Sequence, residues 1–429
     1  MMKGRLSMKK SLVSLLVCLG IVLSLVYAQT ESVFKQEKLS DSLYFFVDKT
    51  PSPVSLLVSA GDDGILLVDT VAAANAEALK KEIQAFGKGN PKIIISSHGH
   101  NEHFEGNIAF GADPIIIAHK ILRTQITTGT NVFQDYPSYI LADIEIDASP
   151  LTLYFNGDEI RIIPLPGGHD DSDIAIWFTK SKVIYAGGLV MFGKSLPWVN
   201  PTCSAITLLD NVKKLIDMLP DDTTVVGGHG VKTTMADYKQ SYKGIADLHE
   251  MILSAYKSGK KSDEIKNDPQ IKNYASYETP WTKLNDYIDR VIKDYEIASG
   301  KITPPAVQKD AYKPLYEAYK KGGIKEMTKA FIPFKKDPEF SDANREEILF
   351  NITYLIKSKG KVAECAEMSE LFLKEFPKSQ YAFYAYYWIG KNEIQQGDKK
   401  KALKTMKKAL ELSPNHPAIL AAIKELEGK

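Results

Sequence analysis

Three histidines fall within six residues of this 429-residue chain, in the run His-Gly-His-Asn-Glu-His at residues 98–103. The run directly follows the apolar segment Ile-Ile-Ile-Ser at residues 93–96, which predicts a buried strand. The end of a strand holds side chains rigidly while leaving them accessible, and alternation turns His98 and His100 to one side. Neutral imidazole and carboxylate are the ligands that zinc prefers outside thiolate sites. A single histidine is usually a packing residue, but three histidines and a carboxylate in six residues predict a metal site.

Two later segments carry further candidate ligands. His169 lies in Pro-Gly-Gly-His-Asp-Asp-Ser-Asp at residues 166–173, and His229 lies in Val-Val-Gly-Gly-His-Gly at residues 225–230. Five of the eight histidines therefore lie in the three motifs. The other three occur in no motif and are interpreted as ordinary residues; they are His119, His249 and His416.

With the motifs in this order, the segment from about residue 43 to residue 229 resembles the metallo-β-lactamase superfamily, in which His-x-His-x-Asp-His follows a strand. The resemblance implies two ligand sets, the first zinc being held by His98, His100 and His169, and the second by Glu102, His103 and His229. Three protein ligands leave positions open on each metal, which is the catalytic rather than the structural pattern. The resemblance also implies that Asp173 belongs with Glu102 to the catalytic set, orienting a ligand from behind. A capping or turn role is the alternative for Asp173.

The chain departs from the family pattern at two positions. The aspartate of the first motif is Glu102 here, and Gly188 stands where many relatives carry a metal-bridging aspartate. We therefore expect a tight first zinc and a weak second one, and we expect Gly188→Asp to tighten the second site. Lys194 follows in a loop that is predicted to rim the site, where it could hold a substrate carboxylate. A solvated surface lysine is the alternative.

The resemblance implies a zinc-dependent hydrolase that binds one or two Zn²⁺ ions and uses metal-activated water. The bond attacked in its small-molecule substrate is expected to be an ester, amide, lactone or related bond. The fold alone does not select among these bonds. The alternative is a degenerate metal-binding module that acts by binding a peptide or protein through helical repeats. Lysine and arginine (54) balance aspartate and glutamate (53), so the chain lacks the basic excess of a nucleic-acid-binding protein.

Short β-type runs alternate with helical ones between residues 43 and 226, which predicts an α/β fold. Together with the resemblance, this alternation predicts an αββα sandwich of two packed sheets covered by helices. The predicted strands are 43–47, 54–58, 65–69, 92–96, 114–118, 151–155, 159–164, 173–178, 182–186 and 223–226. The predicted helices of this part are 72–86, 208–219, 236–258 and 281–298.

An all-α helical repeat domain is predicted at residues 310–429, after a Gly/Pro-containing linker at residues 300–309. Gly360 and Gly397 lie 37 residues apart, each at the turn of a predicted helix hairpin. The last unit resembles a tetratricopeptide repeat, although that family usually repeats every 34 residues. An unrelated helical cap is the alternative. No residue after Gly300 matches a ligand motif, so we expect this domain to be dispensable for the chemistry and to bind a protein or peptide partner.

The first 28 residues read as a signal peptide, with a basic start and an apolar run from Leu12 to Val26. Cleavage before Gln29 would leave a hydrolase domain at residues 29–299 in an exported protein, periplasmic or extracellular, without a membrane span. A retained membrane anchor and a lipid-modified Cys18 are the alternatives. Cys203 and Cys365 lie in different predicted domains and are interpreted as packing residues.

Overall fold

The computed structural model describes residues 32–303 and 310–428. The predicted signal peptide, residues 1–28, and residues 304–309 of the predicted linker lie outside the described residues. None of the helices within the described ranges is both long enough and apolar enough to span a membrane.

Seven strands form the first sheet, in the order β1 to β7. They are β1 (Phe34–Lys38), β2 (Leu43–Asp48), β3 (Ser55–Gly61), β4 (Gly64–Val68), β5 (Ile93–Ser96), β6 (Ile115–His119) and β7 (Ile144–Ile146). The first four pair antiparallel, and β4 to β7 pair parallel. Every residue of β4 is buried, as expected for a central strand covered on both faces.

Six strands form the second sheet, in the order β13-β12-β11-β10-β9-β8. They are β8 (Leu151–Phe155), β9 (Asp158–Pro164), β10 (Ile174–Phe178), β11 (Val183–Tyr185), β12 (Thr224–Val226) and β13 (Lys232–Thr234). Only β11 and β12 pair parallel, and the other neighbours are antiparallel.

Helices cover the outer face of both sheets. They are α1 (Ala76–Gln84), α2 (Asn101–Phe104), α3 (Lys120–Thr127), α4 (Ala205–Met218), α5 (Met235–Lys257), α6 (Ser262–Lys266), α7 (Pro269–Lys272) and α8 (Leu284–Ala298). One apolar cluster packs α1 to α3 on the first sheet, a second fills the space between the sheets, and a third packs α4, α5 and α8 on the second sheet. These layers confirm the predicted αββα sandwich.

The sequence pattern missed three strands, β1, β7 and β13, all of which lie at sheet edges. An edge strand has one neighbour and is kept short or polar, so it carries little hydrophobic alternation. In β1 only Phe34 is buried, and β13 has no buried residue. The ten predicted strands, which lie mostly inside the sheets, are all present.

The C-terminal region is helical, as predicted. It contains α9 (Tyr312–Phe331), which is broken by a kink at Gly322 and Gly323, and then α10 (Asp342–Ser358), α11 (Val362–Glu375), α12 (Ala382–Gln395), α13 (Lys399–Leu412) and α14 (Pro417–Leu426). Gly360 and Gly397 follow α10 and α12 with φ of 72° and 82°, a conformation that favours glycine at the end of a helix.

A turn of the sandwich packs into the core of the helical region. Phe133 lies in the 3₁₀ turn Gly129–Gln134 that follows α3, and only 2% of it is exposed. Its ring centroid lies 4.9 Å from that of Tyr316, and Leu315 belongs to the same apolar cluster. The two regions therefore share a buried contact in addition to the linker.

Candidate metal centre

The three sequence motifs meet because each follows a strand. β5 ends at Ser96, so residues 97–103 leave the first sheet at one edge, and α2 then carries the last part of the motif. His169 lies in the loop between β9 and β10, and His229 lies in the loop between β12 and β13. Both loops belong to the second sheet, so the site lies where loops of the two packed sheets meet.

The structure brings together both predicted ligand sets. One ligand atom each from His98, His100 and His169 lie within 4.8 Å of one another, and the same holds for Glu102, His103 and His229. The two sets differ in exposure. His98 and His169 are buried, whereas the side chains of Glu102 and His229 are 37% and 42% exposed. The second set therefore opens to solvent.

Each of the five histidines has one ring nitrogen against a protein group. The pairs are His98 Nδ1 with Ser97 Oγ (2.8 Å), His100 Nε2 with Asn200 Oδ1 (3.2 Å), His103 Nδ1 with Asp69 Oδ2 (2.9 Å), His169 Nδ1 with the Trp198 carbonyl (3.1 Å) and His229 Nδ1 with the Pro53 carbonyl (3.1 Å). Four of these pairs are hydrogen bonds, whereas His103 Nδ1 lies close to Asp69 without hydrogen-bond geometry. Histidines that bind metals are held by such partners, because the partner fixes the tautomer and the ring orientation.

The remaining ring nitrogens turn toward one another. His100 Nδ1 lies 3.4 Å from His169 Nε2, and His103 Nε2 lies 3.4 Å from His229 Nε2. His98 Nε2 is buried and has no hydrogen-bond partner among the described residues. A buried polar atom without a partner is unfavourable, so this nitrogen fits a metal ligand.

Asp69 is a central residue of the site that the sequence did not reveal. It follows β4 with a left-handed φ of 62° and is fully buried. Its carboxylate accepts hydrogen bonds from the backbone N–H and the hydroxyl of Ser97 (2.6 and 2.7 Å) and from the hydroxyl of Tyr185 (2.7 Å). Since Ser97 Oγ donates its hydrogen to Asp69, it accepts from His98 Nδ1, and His98 Nε2 keeps its lone pair.

Two further carboxylates shape the loop that carries His169. Asp173 Oδ2 accepts from the backbone N–H groups of His169 (2.8 Å) and Asp170 (2.7 Å), which makes Asp173 a positioning residue. Burial and the neighbouring Asp170 raise the pKa of Asp173 well above its usual value. Asp170, which the sequence also did not reveal, accepts from Gln125 Nε2 (2.9 Å) of α3.

Comparison with known proteins assigns the site to a family. Residues 47–229 match the model of the metallo-beta-lactamase superfamily. The chain carries a metallo-beta-lactamase domain. Residues 383–416, which span α12 and α13, match the model of the tetratricopeptide repeat, confirming the predicted resemblance.

Individual relatives of the metallo-beta-lactamase domain are distant. An uncharacterized protein of Aquifex aeolicus (strain VF5) is 26% identical over 157 residues, which cover 33% of this chain and 69% of that protein. A metallo-beta-lactamase from Pontibacter korlensis superposes with a TM-score of 0.44 and 17% identity, over 50% of this chain and 99% of the other. A metallo-beta-lactamase from Hirschia baltica superposes with a TM-score of 0.41 and 16% identity, over 49% of this chain and 96% of the other.

Three of the candidate histidine ligands have a lowered pKa, which favours the neutral imidazole that metals require. Burial and the neighbouring His103 hold the pKa of His98 well below its ordinary value. Burial and His100 lower the pKa of His169 to about 3, and burial and His103 lower that of His229. Burial acts to raise the pKa of Glu102, but His103 and the backbone N–H of Glu102 together lower it, so this carboxylate is ionised at neutral pH.

Two glycines of the domain leave room for imidazole rings. A Cβ built on Gly188 lies 2.0 Å from Cδ2 of His169, and one on Gly228 lies 2.7 Å from Cε1 of His103. Both distances are shorter than real Cβ contacts. The structure therefore has no room for a side chain at Gly188 unless the ring of His169 moves, which opposes our expectation that Gly188→Asp tightens the second site; the effect on metal binding stays a prediction.

Lys194 lies in the loop after β11, and its side chain is exposed. With Phe192, Asp237 and Tyr277 it lines a cavity of about 280 Å³ whose lining residues include none of the six metal-ligand candidates. Its role in holding a substrate stays a prediction.

Proposed function

We propose that the protein is a metal-dependent hydrolase that uses metal-activated water to cleave an ester, amide, lactone or related bond in a small molecule. Its metallo-beta-lactamase domain supports the reaction class, since this fold generally hydrolyses substrates. The observation that carries the proposal is the arrangement of the five histidines. Four have one nitrogen hydrogen-bonded to the protein, His103 Nδ1 lies 2.9 Å from Asp69, and the remaining nitrogens turn toward one another.

The residues fit one or two zinc ions. His98, His100 and His169 would hold the first, and Glu102, His103 and His229 the second. Zinc bound at these sites would supply a nucleophilic water at neutral pH and polarise the carbonyl oxygen of a substrate. Asp69 and Asp173 keep the ligand-bearing loops in place, and Glu102, half-exposed and ionised, lies on the solvent-exposed side of the site.

We further propose that the two metals bind in steps. The first set consists of histidines of which two are buried, and it is held by Ser97, Asn200 and the Trp198 carbonyl. The second set is exposed at two of its three members, and Glu102 Oε1 lies 3.9 Å from His229 Nε2. Rotamer freedom at an exposed glutamate costs entropy when the ligand is ordered. We therefore expect the first site to fill at lower zinc concentration.

The proposal is tested by measuring bound metal together with turnover of chromogenic esters, lactones and cephalosporins. We expect metal in the full-length protein, turnover of at least one class, and loss of the first metal and of turnover in His98→Ala. His416→Ala, which removes a histidine of the helical region, is the matched control and should keep both. Metal-free protein that cleaves a substrate as fast as zinc-loaded protein would contradict the proposal.

The second candidate function is a degenerate metal-binding module that binds a protein or peptide through its helical repeats. An exposed aromatic side chain on α10, Tyr354, beside the buried Trp388 of α12, favours it. Phe350 and Trp388 stack with ring centroids 5.8 Å apart, and Tyr354 beside them is 51% exposed. If Tyr354→Ala abolishes peptide binding while no substrate is turned over by metal-loaded protein, this second function is the correct one.

We also propose that the protein is exported to the periplasm or the medium, on the strength of the basic and apolar pattern of residues 1–28. The intact mass of protein recovered from the producing cells tests this. A chain starting at Gln29 supports export with cleavage, whereas a retained Met1 or a lipid on Cys18 contradicts cleavage before Gln29.

A further inference from the structure

Asn200 lies beside the metal centre and contacts one of its ligands through a side-chain amide. Its Oδ1 lies 3.2 Å from His100 Nε2 and 3.3 Å from the indole Nε1 of Trp198. Its Nδ2 donates to Asp170 Oδ2 over 2.5 Å. The residue was not apparent from the sequence because it lies in no motif and is 100 residues away from His100.

The neighbours of Asn200 leave only one orientation for its amide. The indole N–H of Trp198 can only donate, so it requires the carbonyl oxygen of the amide. Asp170 already accepts from Ser172 and Gln125, so as a carboxylate it requires the NH₂ end. The oxygen of Asn200 therefore faces His100 and can only accept, which requires a hydrogen on His100 Nε2. His100 Nδ1 then keeps its lone pair and faces His169 Nε2.

The backbone of Asn200 is fixed as firmly as its side chain. Its N–H donates to the carbonyl of His169 (3.1 Å), and its carbonyl accepts from Arg290 Nη2 of α8 (2.8 Å). Arg290 in turn pairs with the buried Asp294 over 3.0 Å. Asn200 therefore cannot follow a rotating imidazole, and the position of its oxygen is imposed on His100.

His100 differs from the other four histidines in the nitrogen that it presents. The other four have Nδ1 against a protein group and leave Nε2 for a metal, whereas His100 has Nε2 against Asn200. A half-turn of the imidazole would put Cδ2 in the place of Nδ1 and Cε1 in the place of Nε2, so neither nitrogen would keep its present neighbour. Something must therefore select the orientation of this ring, and Asn200 is its hydrogen-bond partner on the side away from His169.

We propose that Asn200 is a positioning residue that fixes the ring orientation and tautomer of His100, so that Nδ1 and not Nε2 binds the first metal. The inference rests on the metal centre of the proposed function. Loss of a group that orients a ligand from behind costs about 10- to 100-fold in metal affinity, which is the effect expected here. The second ligand set makes no contact with Asn200 among the described residues and should be unaffected.

The test uses full-length protein with ¹⁵N-labelled histidine, loaded with ¹¹³Cd, and reads from the ¹⁵N–¹¹³Cd couplings which nitrogen of each histidine binds the metal. In the unmodified protein we expect Nδ1 for His100 and Nε2 for His98 and His169. Chelator competition then gives the affinity of the first site in Asn200→Leu, which is close in size to asparagine but has no polar atom. Asn285→Leu, at an exposed position of α8, is the matched control.

Asn200→Leu should weaken the first site 10- to 100-fold and mix the two nitrogens of His100, while Asn285→Leu changes neither. Binding through Nε2 of His100 in the unmodified protein overturns the inference, and that measurement needs no variant to fold. Unchanged affinity and unchanged Nδ1 binding in folded Asn200→Leu also overturn it. If no metal binds at all, the proposed function fails separately. The ¹⁵N shifts of the metal-free protein still test the role of Asn200, because they show which nitrogen of His100 carries the hydrogen. A hydrogen on Nδ1 contradicts that role.

Discussion

The imidazole of His169 occupies the volume that a side chain at Gly188 would need, since a Cβ built on Gly188 lies 2.0 Å from Cδ2 of His169. His169 is buried, and its Nδ1 is held by the Trp198 carbonyl, so the ring cannot move aside freely. The glycine is therefore a requirement of the first ligand set. The position of His169 explains why Gly188 stands where many relatives carry a bridging aspartate. The glycine is therefore more than a missing ligand of the second set.

The smallest substitution at this position tests the relationship. We expect Gly188→Ala to displace the ring of His169 and to weaken the first zinc by at least about 10-fold, the lower end of the effect of disturbing a ligand's support. Zinc titration with a competing chelator measures the change. Gly244→Ala is the control, because a Cβ there meets Tyr277 at an ordinary 3.5 Å. A tighter second site with an unchanged first site would restore the expectation drawn from the sequence.

The sequence predicts the ligands of the metal centre because they lie in short motifs that follow one another in a recognisable order. The window at residues 98–103 and the two Gly-His segments carry all six predicted ligands, and the ends of the strands bring them together, although Asp69 also lies within ligand distance of His98 and His103. The sequence does not predict the roles of Asp69 and Asn200. Both residues lie in loops without a motif, and their partners are distant in sequence. The steric role of Gly188 is not predicted for the same reason. The sequence shows that position 188 has no side chain, but not that the ring of His169 occupies the space.

Asp69 should matter for both ligand sets although it lies behind them. Asp69→Asn keeps the shape of the side chain but replaces one acceptor by a donor, which faces the donors of Ser97 and Tyr185. We expect a loss of about 1–3 kcal/mol in the free energy of unfolding and weaker metal binding by about 10- to 100-fold. Urea unfolding and zinc titration measure the two effects. Asp62→Asn, at a fully exposed carboxylate, should change neither, and equal behaviour of both variants would remove Asp69 from the site.

Removal of the helical region exposes the buried contact at Phe133. Truncation after Ile302 removes Tyr316 and Leu315, so Phe133 and its half-buried neighbour Val132 become solvent-exposed. We expect the truncated protein to aggregate more readily. Phe133→Ser in the truncated chain should restore solubility, and turnover of a small substrate should stay within a few fold, because all six candidate ligands precede the truncation. Full-length Phe133→Ser, expected to lose about 3–5 kcal/mol of stability by analogy with other large deletions in a core, is the control. A soluble but inactive truncated variant would show that the helices help to shape the site.

His249 makes the stability of the protein depend on pH without belonging to the metal centre. It is buried in α5, its Nε2 lies 2.8 Å from the hydroxyl of Tyr287, and burial lowers its pKa to about 3. An unfolded histidine has a pKa of about 6.5, so below that pH the unfolded chain binds a proton that the folded chain excludes. The stability contributed by neutral His249 is therefore present above pH 6.5 and is lost as the pH falls toward 3. Between pH 7 and pH 5 the loss from this one residue is about 2 kcal/mol.

The variant His249→Gln isolates this contribution, because glutamine can still hydrogen-bond to Tyr287 but does not titrate. The free energy of unfolding of zinc-free protein is measured in urea at pH 7 and at pH 5. We expect it to fall between these pH values in both proteins, but by about 2 kcal/mol less in the variant. The buried histidines of the metal centre titrate equally in both proteins, so their contributions cancel in the difference. Parallel pH dependence in the two proteins would mean that His249 becomes protonated in the folded state, which requires water to reach the interface between α5 and α8.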